Sequence, residues 1–474
     1  MAKSPKTQPT TASVDDYLQS IENDQRRTDA QSVIEIMSHA AGEPAVMWGD
    51  AIVGFGSYVG PTGPWPLIGL SARKTNLVLY ISTGFEGREA LVEALGKVKT
   101  GVGCIYVNRL DQLDVAALRR LWRYGLAMIP RSTRFEVLDA LRGLCARLVV
   151  FFHLPVSSHF HALPLTRHGY LFVDFFFVLS GFVIAHAYRE RIGSLGDAGR
   201  FIVRRVGRVW PLHLVILSAF VAIELARLVF HFDSVAPFTK DRAPEFLITN
   251  ILLIQAFNIH DYLTWNGPAW SISVEMGCYV LFALMLLAAP RRFAVISIVL
   301  ATAGAVTVLL LAPRYMNTTF NFGFPRAAYG FLLGCLVQRL WAAGPIAPGA
   351  LLRWLEPIVL ICAVTYVSMA RGPWTVAAPL IFAACVWVFA SEAGPLSRGL
   401  SARPLLKLGQ WSYSIYMTHM LVITLMLISA RKLHIMPGGR RIDFGSVWLN
   451  DLFALAIIAL IVGLSALTYR WIET

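Results

Sequence analysis

Long apolar runs alternate with short polar loops after residue 136, whereas the part of the chain before it carries charges throughout. Each run is roughly 20 residues long, the length that crosses the hydrocarbon core of a bilayer as an α-helix. The pattern predicts a polytopic α-helical membrane bundle of about ten transmembrane helices, preceded by a small soluble α/β domain. The ten predicted spans are residues 136–155, 170–188, 209–230, 268–289, 293–313, 324–342, 355–370, 373–391, 410–430 and 449–470.

Domain boundaries follow from the same pattern. Residues 1–13 are polar and predict a disordered N-terminus, 14–128 a compact domain, 129–135 a linker and 136–474 the transmembrane domain. No apolar targeting segment follows the polar start, so we expect no cleavable signal peptide and a cytosolic N-terminal domain.

The N-terminal domain mixes helical and strand patterns. We expect an opening helix, two strands in LIGLSARKTNLVLYIS, a strand at Cys104–Val107 and a closing helix at Val115–Met128. The stretches MWGDAIVGFGSY, LIGLSARKTNLVLYI and LGKVKTGVGCIYV resemble the YdhG-like family of small bacterial proteins. Some of its members are described as frataxin-like iron chaperones, but this sequence has no acidic ridge or metal cluster that supports that role. Two interpretations remain for Lys97 and Lys99, an anion-binding site and a solvated turn.

Charge in the loops predicts the orientation of the bundle. The stretch 246–258 is apolar but short for a span. If it does not cross, the basic loops at 291–292, 339–353 and 398–407 lie on the same side as the N-terminus, as the positive-inside rule favours. We therefore expect this stretch to be re-entrant or interfacial, in a bacterial cytoplasmic (inner) membrane with both termini cytosolic. The basic loop Arg431–Arg441 then lies outside, against the rule.

Composition narrows the class of partner. Charged residues make up 15% of the chain, against about 25% in soluble proteins. The net charge of +13 comes largely from arginines at helix ends, which indicates contact with the bilayer rather than with nucleic acid. The six cysteines lack metal-ligand spacing, so no metal and no permanently bound cofactor is expected.

The first span carries an arginine and a histidine on one helix face. Arg142 and His153 are eleven residues apart, about 16 Å along a helix. This spacing puts Arg142 at the cytosolic mouth and His153 near mid-membrane. A histidine there can act as a general base, or it can be a packing residue bonded to a neighbouring helix.

Two further patterns lie in the second and third spans. Asp174 lies near the outer end of the second span. Ser180 and Gly181 are small residues that permit close helix packing, and packing is favoured over a nucleophilic role for Ser180. Arg205 and Arg208 are three residues apart before the third span and face the same way. They are suited to bind phosphates, although a basic loop is also what positive-inside topology produces.

The later spans add a carboxylate and a second histidine. Glu275 lies about two turns below the outer surface, where Trp270 is the expected interface anchor. His419 lies mid-span with Tyr416 one turn earlier, and packing and function are both open for it. Three histidines of the first outer loop, His159, His161 and His168, are expected to be exposed, with a metal site as the lesser alternative.

In combination, these motifs resemble the membrane-bound acyltransferase family 3, over about residues 134–474. The matching stretches are LDALRG with Asp139 and the Arg142–His153 spacing, VDFFFVLSGFVI, the R-x-x-R pair followed by Trp-Pro, WSISVE with Ser271, SYSIYMTH and the terminal YRWIET with Glu473. Two positions depart from the family pattern: Met276 replaces an acidic residue and Phe172 replaces a glycine.

The resemblance implies an acyl-CoA-dependent O-acyltransferase. Its donor is acetyl-CoA or another acyl-CoA, and its acceptor is a glycan or glycolipid met on the far side of the membrane. It implies that His153 is the catalytic base, that Arg142, Arg205 and Arg208 bind the acyl-CoA phosphates, and that Glu275, Asp174 and His419 shape or polarise the site.

Two other functions are compatible with the residues alone. Intramembrane His, Asp and Glu also occur in the proton relays of transporters and glycolipid flippases, although no internal repeat is visible. Alternatively, the N-terminal domain is the main actor, as a metal or ligand binder, and the helices only anchor it.

Overall fold

The computed structural model describes residues 8–10, 12–41, 44–56, 58–60, 63–81, 88–101, 103–128, 135–232, 235–344, 346, 350–437 and 441–473. The chain divides into two compact units, Met1–Arg134 and Phe135–Thr474. Most of the predicted linker lies outside the described residues. Its last residue, Phe135, is buried in the second unit, where its ring packs against Phe182 and Trp341.

The first unit is a six-stranded antiparallel sheet covered by helices. The sheet order is β1-β2-β5-β6-β8-β7, and β3 and β4 form a separate hairpin. The strands are β1 Ala45–Trp48, β2 Ile52–Phe55, β3 Tyr58–Gly60, β4 Gly63–Trp65, β5 Ile68–Ala72, β6 Leu77–Ile81, β7 Lys99–Gly101 and β8 Cys104–Val107. The helices are α1 Val14–Gln19, α2 Asp24–Ala41, α3 Arg88–Glu93 and α4 Val115–Met128.

Alternating apolar residues build the core of this unit. Val53, Leu70 and Leu79 face α2 and α4, which contribute Met37 and Trp122, and all five are buried. The predicted α/β domain thus contains an antiparallel sheet packed with helices, not a parallel sheet with crossover helices.

The described part of the N-terminal stretch is paired to the sheet. Gln8 accepts a hydrogen bond from the backbone N–H of Gly49, and the N–H of Thr10 donates to the carbonyl oxygen of Met47. Residues 8–10 therefore do not match the predicted disorder, because backbone groups at the edge of β1 are free to bond them.

The second unit is a helical bundle. Its helices are α5 Glu136–His153, α6 His159–Ala162, α7 Pro164–Arg167, α8 Phe172–Tyr188, α9 Leu195–Phe230, α10 Leu247–Ile251, α11 Trp270–Ala288, α12 Phe293–Leu311, α13 Gly323–Ala343, α14 Ala350–Met369, α15 Ala378–Phe389, α16 Pro395–Leu400, α17 Arg403–Gln410, α18 Ser412–Lys432 and α19 Val447–Thr468, and a π-helical turn, Tyr469–Glu473, follows.

Eight helical segments within the described residues are long and apolar enough to cross a membrane, and each overlaps a predicted span. They are Gly169–Tyr188, Leu195–Phe230, Gly267–Ala288, Pro290–Leu311, Leu351–Met369, Gly372–Phe389, Ser412–Lys432 and Val447–Glu473. The other two predicted spans are α5, which carries four charged residues, and α13, which carries Arg326 and Arg339. The second unit is thus a multi-pass bundle, and the count of ten crossings stays a prediction.

Helix α9 differs from its predicted span. The prediction places a loop before residue 209, but α9 is 36 residues long and already helical at Leu195. Its length of about 54 Å exceeds the thickness of a bilayer. Arg205 and Arg208 therefore lie on a continuous helix. Helix α10 has only 5 residues, which is far too short to cross.

Close helix packing sets the centre of the bundle. Helices α8 and α13 touch at glycine, since a Cβ on Gly181 would lie 1.8 Å from the carbonyl oxygen of Phe331 and one on Gly334 would lie 1.9 Å from that of Val178. Backbones approach this closely only where no side chain intervenes. The contact fixes the height of Ser180 and Asp174 on α8.

Candidate active site

A cavity of about 190 Å³ lies inside the bundle, enclosed by α5, α8, α9, α11 and α18. Three arginines line it, Arg142 from α5 and Arg205 and Arg208 from α9. Its other polar walls are Ser180, Ser271, Glu275, Tyr279, Ser412, Tyr413 and Tyr416. The cavity thus joins a cationic group and a carboxylate that the sequence placed at different depths.

Arg142 is held by contacts from two sides. Its Nε donates to Ser412 Oγ at 2.8 Å, and one Nη donates to the Gly409 carbonyl oxygen at 3.0 Å. Asp139 Oδ1 lies 3.0 Å from the same guanidinium, one turn earlier on α5. The close approach of α5 and α17 allows this, because a Cβ on Gly143 would lie 2.6 Å from the backbone of Gly409.

The two arginines of α9 differ in their partners. Arg205 donates to the hydroxyl of Tyr188 at 3.3 Å and lies over that ring. Its Nε is buried and, among the described residues, has no hydrogen-bond partner. Arg208 lies 3.3 Å from a carboxylate oxygen of Glu473, whose other oxygen accepts from Ser414. Arg205 therefore keeps a donor for an anion, whereas Arg208 already faces one.

Glu275 is the centre of a hydroxyl network. Its Oε1 accepts from Ser180 Oγ at 2.5 Å and from the Tyr279 hydroxyl at 2.6 Å. Glu275 and Arg205 line the same cavity, although the sequence places them at different depths. Because α9 continues through its arginines, Arg205 and Arg208 lie beside α11.

Ser271 and Tyr416 form the far wall of the cavity. The Ser271 hydroxyl donates to the Tyr416 hydroxyl at 2.9 Å, which donates to the carbonyl oxygen of Pro268 at 3.1 Å. The ring of Tyr416 lies 5.8 Å from that of His419, centroid to centroid. Tyr416 therefore contacts both the cavity and His419.

His153 and His419 form a contacting pair, although neither lines the cavity. His153 Nδ1 lies 3.0 Å from the carbonyl oxygen of Val149 and 3.3 Å from His419 Nε2. His419 Nδ1 lies 3.3 Å from the carbonyl oxygen of Ile415. His419 is fully buried in the middle of α18, while His153 is the last residue of α5 and is half-buried.

These contacts assign the proton positions of the pair. A carbonyl oxygen only accepts, so each Nδ1 that faces one carries a hydrogen. His419 Nε2 then has a lone pair, and the single Nδ1–H of His153 is shared between it and the Val149 carbonyl oxygen. The lone pair of His153 consequently lies on Nε2, which makes no hydrogen bond within the described residues.

Asp174 lies away from the cavity in a buried ion pair. Both of its oxygens accept from Arg326, at 2.9 and 2.8 Å, and the two side chains are 0% and 1% exposed. Arg326 also donates to the carbonyl oxygens of Thr318 and Tyr170 and lies over the ring of Trp270. Asp174 therefore neutralises a buried cation that joins α8 to α13, and Trp270, expected as an interface anchor, is buried over that cation.

Several residues of the site escaped the sequence-based reasoning. Arg326 gave a signal, since an arginine inside an apolar run needs a buried partner. Tyr279 is one turn from Glu275, so its hydroxyl was also within reach of a helical-spacing argument. Ser412 and Tyr413 gave no such signal, because their roles depend on which helices meet.

Of the three histidines predicted to be exposed, His159 is exposed, whereas His161 and His168 are half-buried. His159 Nδ1 lies 2.7 Å from Asp451. Among the residues that the structure describes, no group of three or more His, Cys, Asp or Glu side chains is arranged to hold a metal ion.

The sequence profile of an acyltransferase domain, acyltransferase 3, matches residues 135–470. The chain belongs to the acyltransferase 3 family. The profile covers the helical unit and not the N-terminal one.

Relatives of the chain include proteins named as an acyltransferase and as an O-acetyltransferase. The acyltransferase MdmB of Streptomyces mycarofaciens is 25% identical over 73% of this chain and 92% of its own length. The peptidoglycan O-acetyltransferase OatA of Listeria monocytogenes is 25% identical over 65% of this chain. This chain spans about half of that relative, 51% of its length. No solved structure matches the chain.

Proposed function

We propose that this acyltransferase 3 protein moves an acyl group, acetyl in the simplest case, from a cytosolic acyl-CoA to a hydroxyl of a glycan or another exported, cell-surface acceptor. The observation that carries the proposal is the cavity with three guanidinium groups, connected through Tyr416 to the His153–His419 pair. The names of two relatives, OatA and YrhL of Bacillus subtilis, describe peptidoglycan O-acetyltransferases.

The donor binds at the arginines. Coenzyme A carries phosphate groups, and guanidinium groups bind phosphate through paired charge-assisted hydrogen bonds. Arg205 has a free buried Nε, and Arg142 is held in place by Ser412 and Gly409. Together with Arg208 they form a cationic end for the donor, with no metal or bound cofactor required by the reaction.

The transfer step uses His153 as the base. His153 Nε2 takes the proton of the acceptor hydroxyl while its oxygen attacks the thioester carbonyl carbon. The new C–O bond forms, the C–S bond breaks, and the departing sulfur of CoA takes the proton from the imidazolium. The lone pair on Nε2 suits this role, and His419 holds the ring so that Nε2 carries it.

Glu275 serves as the orienting carboxylate of the site. Its contacts with Ser180 and Tyr279 fix both hydroxyls, so that their positions are set before a substrate enters. In this proposal the donor extends from the arginines past Glu275 and Tyr416, and its thioester reaches His153.

The membrane placement follows from the donor. Acyl-CoA is cytosolic, so the arginine-lined cavity opens to the cytosol, in the cytoplasmic membrane of a bacterium, and the N-terminal unit lies on the same side. We assign that unit to the YdhG-like family on the stretches that resemble it, and its antiparallel sheet with packed helices is compatible with this assignment.

One assay tests the proposal against transport. Purified protein in nanodiscs receives acetyl-CoA labelled in the acetyl group, together with a peptidoglycan fragment. We expect label on the fragment and one equivalent of free CoA for each acetyl ester, with both products reduced at least about a hundredfold in His153→Ala. Full transfer by that variant contradicts the mechanism. Movement of a glycolipid across vesicles without thioester consumption would instead favour a flippase.

A further inference from the structure

A second cavity lies at the opposite end of α5 from the arginine-lined one. It measures about 280 Å³, close to the lower end of small-molecule sites at about 300 Å³, and its walls are Phe152, His161, Arg167 and Arg441. Phe152 is ten residues beyond Arg142, roughly 15 Å along the helix. The two cavities are thus separated along one helix.

The second cavity adjoins the proposed base. Phe152 and His153 are consecutive residues at the end of α5, and their ring centroids are 4.8 Å apart. His153 therefore contacts both Phe152, which lines this cavity, and His419.

The two arginines of this cavity carry unneutralised charge. Within the described residues, neither Arg167 nor Arg441 forms an ion pair with a carboxylate, and the one hydrogen bond of Arg167 goes to the carbonyl oxygen of His161 at 3.4 Å. Both charges act on His161, whose pKa is lowered first by burial and then by Arg441 and Arg167. Two adjacent cations without a counter-ion favour an anionic ligand.

The loops that carry these residues are joined by backbone hydrogen bonds. The N–H of Ile442 donates to the carbonyl oxygen of Pro155, and the N–H of Ser157 donates to that of Ile442. Asn450 adds a side-chain bond to the carbonyl oxygen of Ser157. Arg441 is therefore held beside the loop of His161 and Arg167.

We propose that this cavity, lined by Phe152, His161, Arg167 and Arg441, binds an acidic carbohydrate acceptor through its carboxylate or phosphate group. The inference rests on the proposed function and names the substrate class of that site. The oxyanion lies between the two guanidinium groups, the ring of Phe152 covers an apolar face of the sugar, and a hydroxyl is directed to His153.

Binding of matched disaccharides tests the site without catalysis. The probes are the disaccharide of N-acetylglucosamine and N-acetylmuramic acid, the same disaccharide with its carboxyl amidated, and a phosphorylated form, each titrated into the full chain in nanodiscs of neutral lipid. We expect the acid or the phosphate to bind at least about tenfold more tightly than the amide. The probe with the higher affinity identifies the oxyanion that the cavity binds.

Variants connect that preference to the arginines. The double variant Arg167→Gln, Arg441→Gln is expected to lose the preference, whereas Arg398→Gln, an exposed arginine on α16 far along the chain, keeps it. Equal binding of the acid, phosphate and amide forms, or an unchanged preference in the double variant, overturns the proposal.

The same experiment separates the site from the enzyme assignment. His153→Ala is expected to keep the preference for the acidic disaccharide while losing acetyl transfer. If the wild-type protein binds the acid selectively but never transfers acetyl from acetyl-CoA, the proposed function fails and the anion site stands. If it transfers acetyl equally well to the acid and the amide, with equal affinities, the anion site fails and the function stands.

Discussion

His419 Nε2 lies 3.3 Å from His153 Nδ1, and this contact joins α18 to α5 through two residues that are 266 positions apart in the chain. A buried imidazole that accepts a hydrogen bond fixes both the orientation and the proton position of its partner. The lone pair on His153 Nε2 is therefore set by α18 as well as by α5. His419 therefore acts as a positioning residue.

Replacement of His419 by Phe should lower kcat for acetyl transfer by about tenfold to a hundredfold, because the loss of one hydrogen bond to a reacting group is worth about 1–3 kcal/mol. KM for acyl-CoA should be unchanged, since His419 does not line the arginine cavity. His419→Gln keeps an acceptor for His153 Nδ1–H and should recover part of the rate. Equal rates for the Phe and Gln variants would argue that the contact only fills space.

The Arg208–Glu473 pair leads to a second prediction. Glu473 neutralises Arg208 at 3.3 Å, so it competes with a phosphate for the same guanidinium. Glu473→Gln keeps an acceptor for Ser414 but removes the charge, and should lower KM for acyl-CoA by about twofold to tenfold. Arg208→Ala should raise it. Arg204→Ala is the matched control, since Arg204 is an exposed arginine on the same helix and does not line the cavity. A higher KM in Glu473→Gln would mean that Glu473 aligns Arg208 for the donor instead.

The buried Asp174–Arg326 pair should contribute to stability rather than to chemistry. Asp174→Asn leaves the Arg326 charge without its counter-ion in a site that is 1% exposed, which costs about 3–5 kcal/mol. The apparent Tm in detergent should fall accordingly. The double variant Asp174→Leu, Arg326→Met removes both charges and should regain much of that loss. If Asp174→Asn abolishes transfer with an unchanged Tm, the residue has a chemical role after all.

Some parts of the molecule could be predicted from local pattern and others could not. Helix α12 is an apolar run without a charged residue, so its position follows from hydropathy alone. The start of α9 could not be found in this way, because Arg204, Arg205 and Arg208 interrupt the apolar pattern without interrupting the helix. Hydropathy reports where lipid is, whereas helix continuity depends on backbone hydrogen bonds.

The candidate site shows the same division. Arg142 and His153 belong to one helix, so the sequence predicts their shared face and their spacing. The contact of His153 with His419 and the contact of Asp174 with Arg326 depend on which helices pack together, and spacing along the chain carries no information about that. The depth of Glu275 in the membrane was inferred from its distance to the helix end. That distance does not show which side chains of neighbouring helices line the same cavity.

Glu392 makes the anchoring of α5 dependent on pH. Its Oε1 accepts from the backbone N–H of Val137 at 2.8 Å, in the first turn of α5. Burial raises the pKa of Glu392 to about 7, against the opposing effect of the Val137 hydrogen bond. The folded state therefore holds this proton more tightly than the unfolded state. The stability that this provides is complete below the ordinary carboxyl pKa, and it is lost as the pH rises to about 7.

We expect the apparent Tm of the wild-type protein in detergent to fall by a few degrees between pH 5 and about pH 7.5, through this group. Glu392→Gln keeps the hydrogen bond to Val137 and removes the titration, so its Tm should fall less over the same range and should exceed that of the wild type at the upper end. Parallel Tm curves for the two proteins would show that Glu392 ionises alike in the folded and unfolded states. Arg398→Gln, a surface change in the next helix, serves as the control for a general effect of altered charge.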